Sequence, residues 1–308
     1  MSFLARIFAQ ELSFVFSCPA ILWQVIFLYV PFAILALHSV FDFDIAQQAY
    51  TFTLVHYQEI FNSLYIKIIF RSFFLAFLTA LICFLIAYPV AYFLALKGPR
   101  RFKTFLLFSL IFPSWTSLIV QVYAWFFLLE KNGFISRTLQ SLGIISSNQH
   151  MLNNYFTIIM GMVSCYLPFM ILPIYAVLEK MDKNLLEASA DLGADRYETF
   201  RRVVFPLSLP GVYAGLLLVF TPSFGEFAIP TLLGGSKYVF WGNVIVDKFL
   251  RSRDWRVGAA LAIIGIMLPV ILIALVVVAR RVREFYNNRQ QPDYPEYLIS
   301  SSNKDFWS

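Results

Sequence analysis

The 308-residue chain is 59% hydrophobic and only 14% charged, with a mean hydropathy of +0.70. That composition excludes an ordinary soluble domain and predicts a membrane protein that crosses the bilayer several times. The formal net charge of +6 lies in short basic loops, and no basic patch with interleaved aromatics stands in a soluble domain, so nucleic acid is excluded as a partner.

In chain order, six runs are free of Asp, Glu, Lys and Arg: residues 12–37, 72–96, 104–129, 151–178, 203–225 and 257–279. Each holds a helix of roughly 20 residues, the length that crosses a ~30 Å hydrocarbon core. Backbone polar groups have no water partner in lipid, so the runs are predicted as packed helices, whereas barrel strands would alternate over about ten residues. The predicted fold class is all-α: a polytopic membrane protein with six transmembrane helices. Its expected divisions are an N-terminal segment (1–20), a transmembrane domain (21–282) and a tail (283–308). The first run follows Arg6 as a signal peptide would. No small-x-small cleavage site closes it and five more runs follow, so it reads as a retained helix. Val15-Phe16-Ser17-Cys18 has the outline of a lipobox, but bulky Phe16 and the following Pro19 argue against one.

Positive loops stay in the cytoplasm. Arg6, the turn Lys97-Gly98-Pro99-Arg100-Arg101-Phe102-Lys103, a charged island at 185–210, and Arg280, Arg281, Arg283 and Arg289 fall on one side, which makes both termini cytoplasmic. The other side holds Asp42, Asp44 and Glu59, then Lys131 and Arg137. It also holds Lys237, Lys248, Arg251, Arg253 and Arg256, a segment that breaks the rule. Cys18, Cys83 and Cys165 have no metal-ligand spacing and read as buried small apolar side chains. His38, His56 and His150 read as ordinary interfacial histidines. No metal site is predicted. There is no GxxxxGK[ST] loop, HExxH pair or GxSxG elbow, so no catalytic residue is assigned and the chain is not read as an enzyme. Any energy for uphill transport would then have to come from an ion gradient or from another subunit. No internal repeat is visible, which argues against an inverted-repeat carrier.

The island interrupts the greasy sequence between the fourth and fifth runs. Leu185 and Leu186 precede Glu187 and the small residues at 188, 189 and 190, a surface that another protein can approach closely. Gly193 suits a helix C-terminal cap. Tyr197, Phe200, Val203 and Val204 are expected to form the apolar stripe of a second helix ending at Pro206 and Pro210. A solvated amphipathic connector is the plainer reading. Glu187, Ala188, Gly193, Val203, Phe205 and Pro206 stand in the order Glu-Ala-Ala, a glycine six residues after the Glu, then hydrophobic-x-hydrophobic-Pro, with Ser189 in place of the third-position Ala. This resembles the cytoplasmic loop of ABC-importer permeases, which folds as two short helices, the first docking into an ATPase subunit.

The resemblance covers roughly residues 70–280 and is nearest the spermidine/putrescine-type permeases. It is carried by Pro113-Ser114-Trp115-Thr116, Tyr123-Ala124-Trp125, Lys131-Asn132-Gly133, and Tyr166-Leu167-Pro168-Phe169 running to Glu179-Lys180-Met181-Asp182-Lys183. Gly225-Glu226-Phe227, Leu233-Gly234-Gly235 and Arg253-Asp254-Trp255 continue it. Related permeases commonly carry an Arg two residues before the third-span Tyr, where this chain has Gln121.

The resemblance implies a bacterial inner-membrane permease subunit with a coupling loop at about 179–206. Glu187, Ala188, Ser189, Asp191, Gly193 and Ala194 would engage the ATPase. It also implies a second homologous permease chain in a heterodimer, a cytoplasmic ATPase dimer that carries the ATP and Mg, an external substrate-binding protein, and surrounding lipid. No cofactor belongs to this chain itself. A polyamine path calls for carboxylates, carbonyl oxygens and aromatic faces. The candidates are Trp115, Gln121, Tyr123, Glu226 and Asp254.

Alternatives stand beside three of these assignments. Pro222 and Gly225 can interrupt helix five and free carbonyls toward a cavity beside Glu226, or Glu226 is a helix-end carboxylate satisfied by water or Lys237. Trp115, Tyr123 and Trp125 line a cation wall or an interfacial belt. Asp254 touches cargo or binding protein, or neutralises Arg253 and Arg256. At the level of the whole chain, the competing readings are an importer of another small solute, an ion-coupled carrier, which would need an ionisable relay that the uncharged runs lack, and a scaffold.

Overall fold

The computed structural model describes residues 18–44, 49–144, 146 and 151–289. Arg6, Val15-Phe16-Ser17 and His150 lie outside the described residues. Two compact units result, one reaching Ile263 and the other beginning at Ile264.

Helix α1 spans Cys18–Val40. A two-stranded antiparallel hairpin follows, β1 (Phe41–Asp44) and β2 (Ala49–Phe52), in the register Phe41↔Phe52 and Asp42↔Thr51. The hairpin is an addition to the all-helical expectation, and its signal is the period-two alternation Phe41-Asp42-Phe43-Asp44. A short α2 (Val55–Ile60) precedes the 35-residue α3 (Ser63–Lys97). α3 starts nine residues before the uncharged run because Lys67 and Arg71, both exposed, continue it. At 1.5 Å per residue α3 is about 52 Å long, well beyond a ~30 Å core.

The third run is not one helix. It divides into α4 (Arg100–Ile111), a 3-10 turn (Phe112–Trp115) and α5 (Leu118–Leu129). Proline removes a donor and crowds the preceding turn, and here the Pro113 carbonyl is left at the break. Thr116 N at 3.1 Å, Thr116 Oγ1 at 2.7 Å and Gln121 Nε2 all donate to it. This supplies inside the protein what lipid cannot. After α6 (Phe134–Ser141) comes α7 (Tyr155–Glu179). α8 (Asn184–Asp191) leads into the long helical stretch α9 (Arg196–Gly225), which contains a π turn at Phe200–Val204. The unit continues with α10 (Ala228–Gly234), α11 (Trp241–Val246) and the start of α12 (Trp255–Arg289).

The core is the junction of α3, α7 and α9. Ile158, Met162, Cys165, Tyr166, Met170, Ile174 and Leu178 run down one face of α7 and are buried, and Ala76, Thr79, Ala80, Cys83, Ala87 and Ala91 do the same on α3. Small residues let the helices close up. A Cβ on Gly211 would lie 2.7 Å from Pro173 O, and one on Gly215 would lie 2.7 Å from Met170 Sδ. Tyr88 Oη and Ser208 Oγ, 2.9 Å apart, join α3 to α9. On the opposite stripe of α3, Phe70, Phe74, Phe77, Leu81 and Leu85 are exposed at helical spacing, an outward apolar face suited to lipid. Cys83 and Cys165 are buried as expected, whereas Cys18 is exposed, since it opens α1, whose described residues are nearly all exposed.

Among the described residues, five helices are long and apolar enough to cross a membrane, and Trp255–Ile271 is a shorter apolar one. In the second unit, α12 exposes Ile266, Met267, Val270, Ile271, Leu275 and Val278.

Candidate functional site

The segment between α7 and α9 is built for presentation. Asp182 turns the chain, with Oδ1 accepting from Asn184 N at 3.0 Å. α8 then runs with Leu186 packed inward against the core and with Glu187, Ala188 and Asp191 exposed. Glu187 lies in the first turn, where a negative charge complements the helix dipole. Gly193 adopts φ +81°, the left-handed cap that its sequence position predicts, with nothing within 4 Å of where a Cβ would sit. Ala194 is half-buried, and its N–H donates to Ser189 O at 3.1 Å. Asp195 caps the next helix through Glu198 N at 2.7 Å, and Ser189 Oγ and Thr199 Oγ1, 3.0 Å apart, tie the two helices together.

Phe200 and Val204 turn inward, and the Phe200 ring lies 5.7 Å from that of Tyr88. Tyr197 does not join the predicted stripe and is 68% exposed. Tyr197 lies in the first turn of α9, before the π turn at Phe200–Val204. Leu192 at 88% exposure and Leu185 are also exposed on this segment, as are Glu187 and Asp191.

A second constellation forms where α9 stops at Gly225. Glu226 is 9% exposed, and its two oxygens are engaged inside the protein. Oε1 accepts from Phe227 N at 3.0 Å, Ala228 N at 2.8 Å and Ile229 N at 3.4 Å, and Oε2 accepts from Tyr166 Oη at 2.6 Å. Four donors and no acceptor face the group, which suits a carboxylate. The carbonyls of Gly225 and Glu226 are covered by the close approach of Gly242. The helix does break at Gly225 as the Pro-Gly signal implies, but Glu226 caps α10, and the carbonyls expected to face a cavity are packed. Lys237 lies over the Tyr238 ring at 5.5 Å.

Three predicted residues belong to the α4–α5 break. Trp115 is 75% exposed, and Gln121 donates to Pro113 O and, at 3.1 Å, to Thr116 Oγ1. Tyr123 is 44% exposed and stacks on Phe127 with centroids 6.3 Å apart. Asp254 sits apart from them. It pairs with Lys248 at 3.1 Å and caps α12 through Val257 N at 3.3 Å, while Arg256 pairs with Asp42. The neutralising partner of Asp254 is therefore Lys248 and not the adjacent arginines. The turn after α11 folds back there through Asp254 N to Lys248 O at 2.9 Å. Burial, the largest influence, lowers the Lys248 pKa, but the Asp254 hydrogen bond and nearby charges outweigh it and raise it.

Tyr166, which completes the Glu226 site, was named above only as part of a motif. Lys103, Tyr175 and Glu179 were not marked as a group. Lys103–Glu179 and Tyr166–Glu226 each join helices far apart in the chain, which no local spacing announces.

Residues 87–286 match the family described as the binding-protein-dependent transport system inner membrane component. The spermidine/putrescine transport system permease protein PotB of Haemophilus influenzae is 36% identical over 268 residues, covering 87% of this chain and 92% of that protein. The protein of the same name from Escherichia coli is 36% identical over 254 residues, with 80% and 92% coverage. The inner membrane ABC transporter permease protein YdcU of Escherichia coli is 32% identical over 238 residues, with 72% and 73% coverage. Among solved structures, a bacterial ABC transporter involved in the import of the acidic polysaccharide alginate shares the fold, with a TM-score of 0.74 at 17% identity over 91% of this chain and 98% of that one. The apolar helical bundle, the turned segment at Gly193 and these matches have one reading: the chain belongs to the binding-protein-dependent transport system inner membrane component family, the non-catalytic permease subunits of ABC importers.

Proposed function

We propose that the chain is a permease subunit of an ATP-driven importer of polyamines, spermidine or putrescine. It forms half of the path beside a second, related permease chain. An ATPase dimer, carrying ATP and Mg, docks on α8 and the Gly193 turn through Glu187, Ala188, Ser189, Asp191 and Ala194. Closure of that dimer on ATP draws the docking segments together and swings the bundle outward-facing, and hydrolysis resets it. A soluble binding protein delivers cargo at the opposite face, and both termini are cytoplasmic.

The observation that carries the docking is the exposure of Leu185, Leu192 and Tyr197, with Glu187 and Asp191, on the short segment between α7 and α9. The cargo class rests on 36% identity to the PotB proteins. Of the path residues, Trp115 and Tyr123 present the exposed ring faces that an ammonium can use, at ~0.5–2 kcal/mol per contact. The test is Glu187→Lys in the complex. The variant is expected in the membrane at wild-type amount, with ATPase co-purification and polyamine uptake reduced at least about tenfold by reversing a docking charge. Normal co-purification and uptake would sink the docking.

A further inference from the structure

The end of the bundle that carries α8 holds one polar cluster that the proposed docking does not use. Lys103 Nζ, on the first turn of α4, lies 2.6 Å from Glu179 Oε1, the last residue of α7. It also stands 5.1 Å from the centre of the Tyr175 ring. The Lys103 side chain is only 18% exposed, Glu179 46%. The Glu179 hydrogen bond, its largest influence, holds the Lys103 ammonium above its ordinary range.

As a stabiliser such a pair contributes little near a surface. Its place in the fold is the informative part. Glu179 is joined through residues 180–183 to α8. Lys103 begins the helix whose far end is the Pro113–Trp115 break, clamped by Gln121. α4 otherwise meets the core through the apolar contacts of Leu106, Leu107 and Leu110, which slide more easily than a directed ion pair with an aromatic ring at its side. The three side chains form a polar link from the α8 segment to the helix carrying the break.

We propose that Lys103–Glu179, braced by Tyr175, is the strut that passes displacement of the α8 segment to the α4–α5 break, making these positioning residues for the transport cycle. This rests on the docking of an ATPase at α8 but not on the identity of the cargo. The experiment uses the whole complex with Cys18→Ser and a reporter, Ser117→Cys, an exposed position in the break. The thiol-labelling rate at position 117 is measured without nucleotide and with a non-hydrolysable ATP analogue. The analogue is expected to change the rate about fivefold or more, the lower end of a coupling between sites. Lys103→Met, which keeps the apolar stem, and Glu179→Gln each abolish that change while analogue binding persists. The exchange Lys103→Glu with Glu179→Lys restores it. A single variant that keeps the wild-type change, or an exchange that fails to restore it, overturns the strut. If a charge variant does not assemble, Tyr175→Leu, which removes the ring beside Lys103, carries the test, and a full wild-type response in it overturns the proposal. A complex with a normal labelling response but no polyamine uptake would count against the cargo and not against the strut.

Discussion

Glu226 offers the sharpest separation of two roles. Replacing it with Ala removes the acceptor for the two shorter backbone bonds, at 2.8 and 3.0 Å, and strands the Tyr166 hydroxyl. Each buried donor left unpaired costs ~1–3 kcal/mol, and the loss of a cap alone costs ~0.5–2 kcal/mol. Allowing for overlap, Glu226→Ala should destabilise by about 3–5 kcal/mol. Glu226→Gln keeps an acceptor for the N–H groups and loses only charge assistance, so about 1–2 kcal/mol is expected. Tyr166→Phe, which leaves Oε2 without its donor, falls in the same range.

The assay is thermal loss of the folded complex in lipid nanodiscs, paired with uptake kinetics on the assembled fraction. In a double-mutant cycle, Tyr166→Phe and Glu226→Gln should couple by about 1 kcal/mol because they share one hydrogen bond. Polyamine KM in the surviving Glu226→Gln complex should stay at the wild-type value. A Glu226→Gln complex as stable as wild type but with a several-fold higher KM would refute the cap, because it would mean that the carboxylate meets cargo.

Two further outcomes follow from backbone geometry. Gly193→Ala meets no atom within 4 Å, yet it must hold φ +81°; a cost of about 1 kcal/mol should appear as faster hydrogen exchange in α8 without loss of folding. Gly211→Val drives a side chain into Pro173 O, 2.7 Å from the Cβ position, and should lose about 1–3 kcal/mol or more by overpacking, seen as aggregation in detergent gel filtration. Gly98→Ala, whose Cβ would come no nearer than 3.4 Å to another atom, is the control that should run as wild type.

What the sequence reveals here depends on the range of the interaction. Apolar runs longer than a bilayer thickness announce the helices, because burial in lipid is decided residue by residue along one segment. The same rule misplaces ends: excluding charge starts the second run at residue 72, whereas the helix begins at Ser63 and keeps Lys67 and Arg71 at its margin. Pro113 marks a break in the third run only if one asks where its carbonyl goes, and the answer, Gln121, lies eight residues on. Gly193 was legible because a left-handed cap is a property of one residue. Tyr166 and Glu226 are separated by 60 residues, and no periodicity links them. Charge beside Gly225 identifies Glu226 as unusual, but only the fold shows that its oxygens are engaged.

That engagement bears on how a polycation would cross. Glu226 Oε1 is filled by three backbone donors, so an ammonium could reach only the remaining acceptor site of Oε2, beside the Tyr166 hydroxyl. Trp115, at the α4–α5 break, is 75% exposed, and a ring face attracts a cation without any bond having to break first. On the proposed function, this chain therefore contributes aromatic surface to the path.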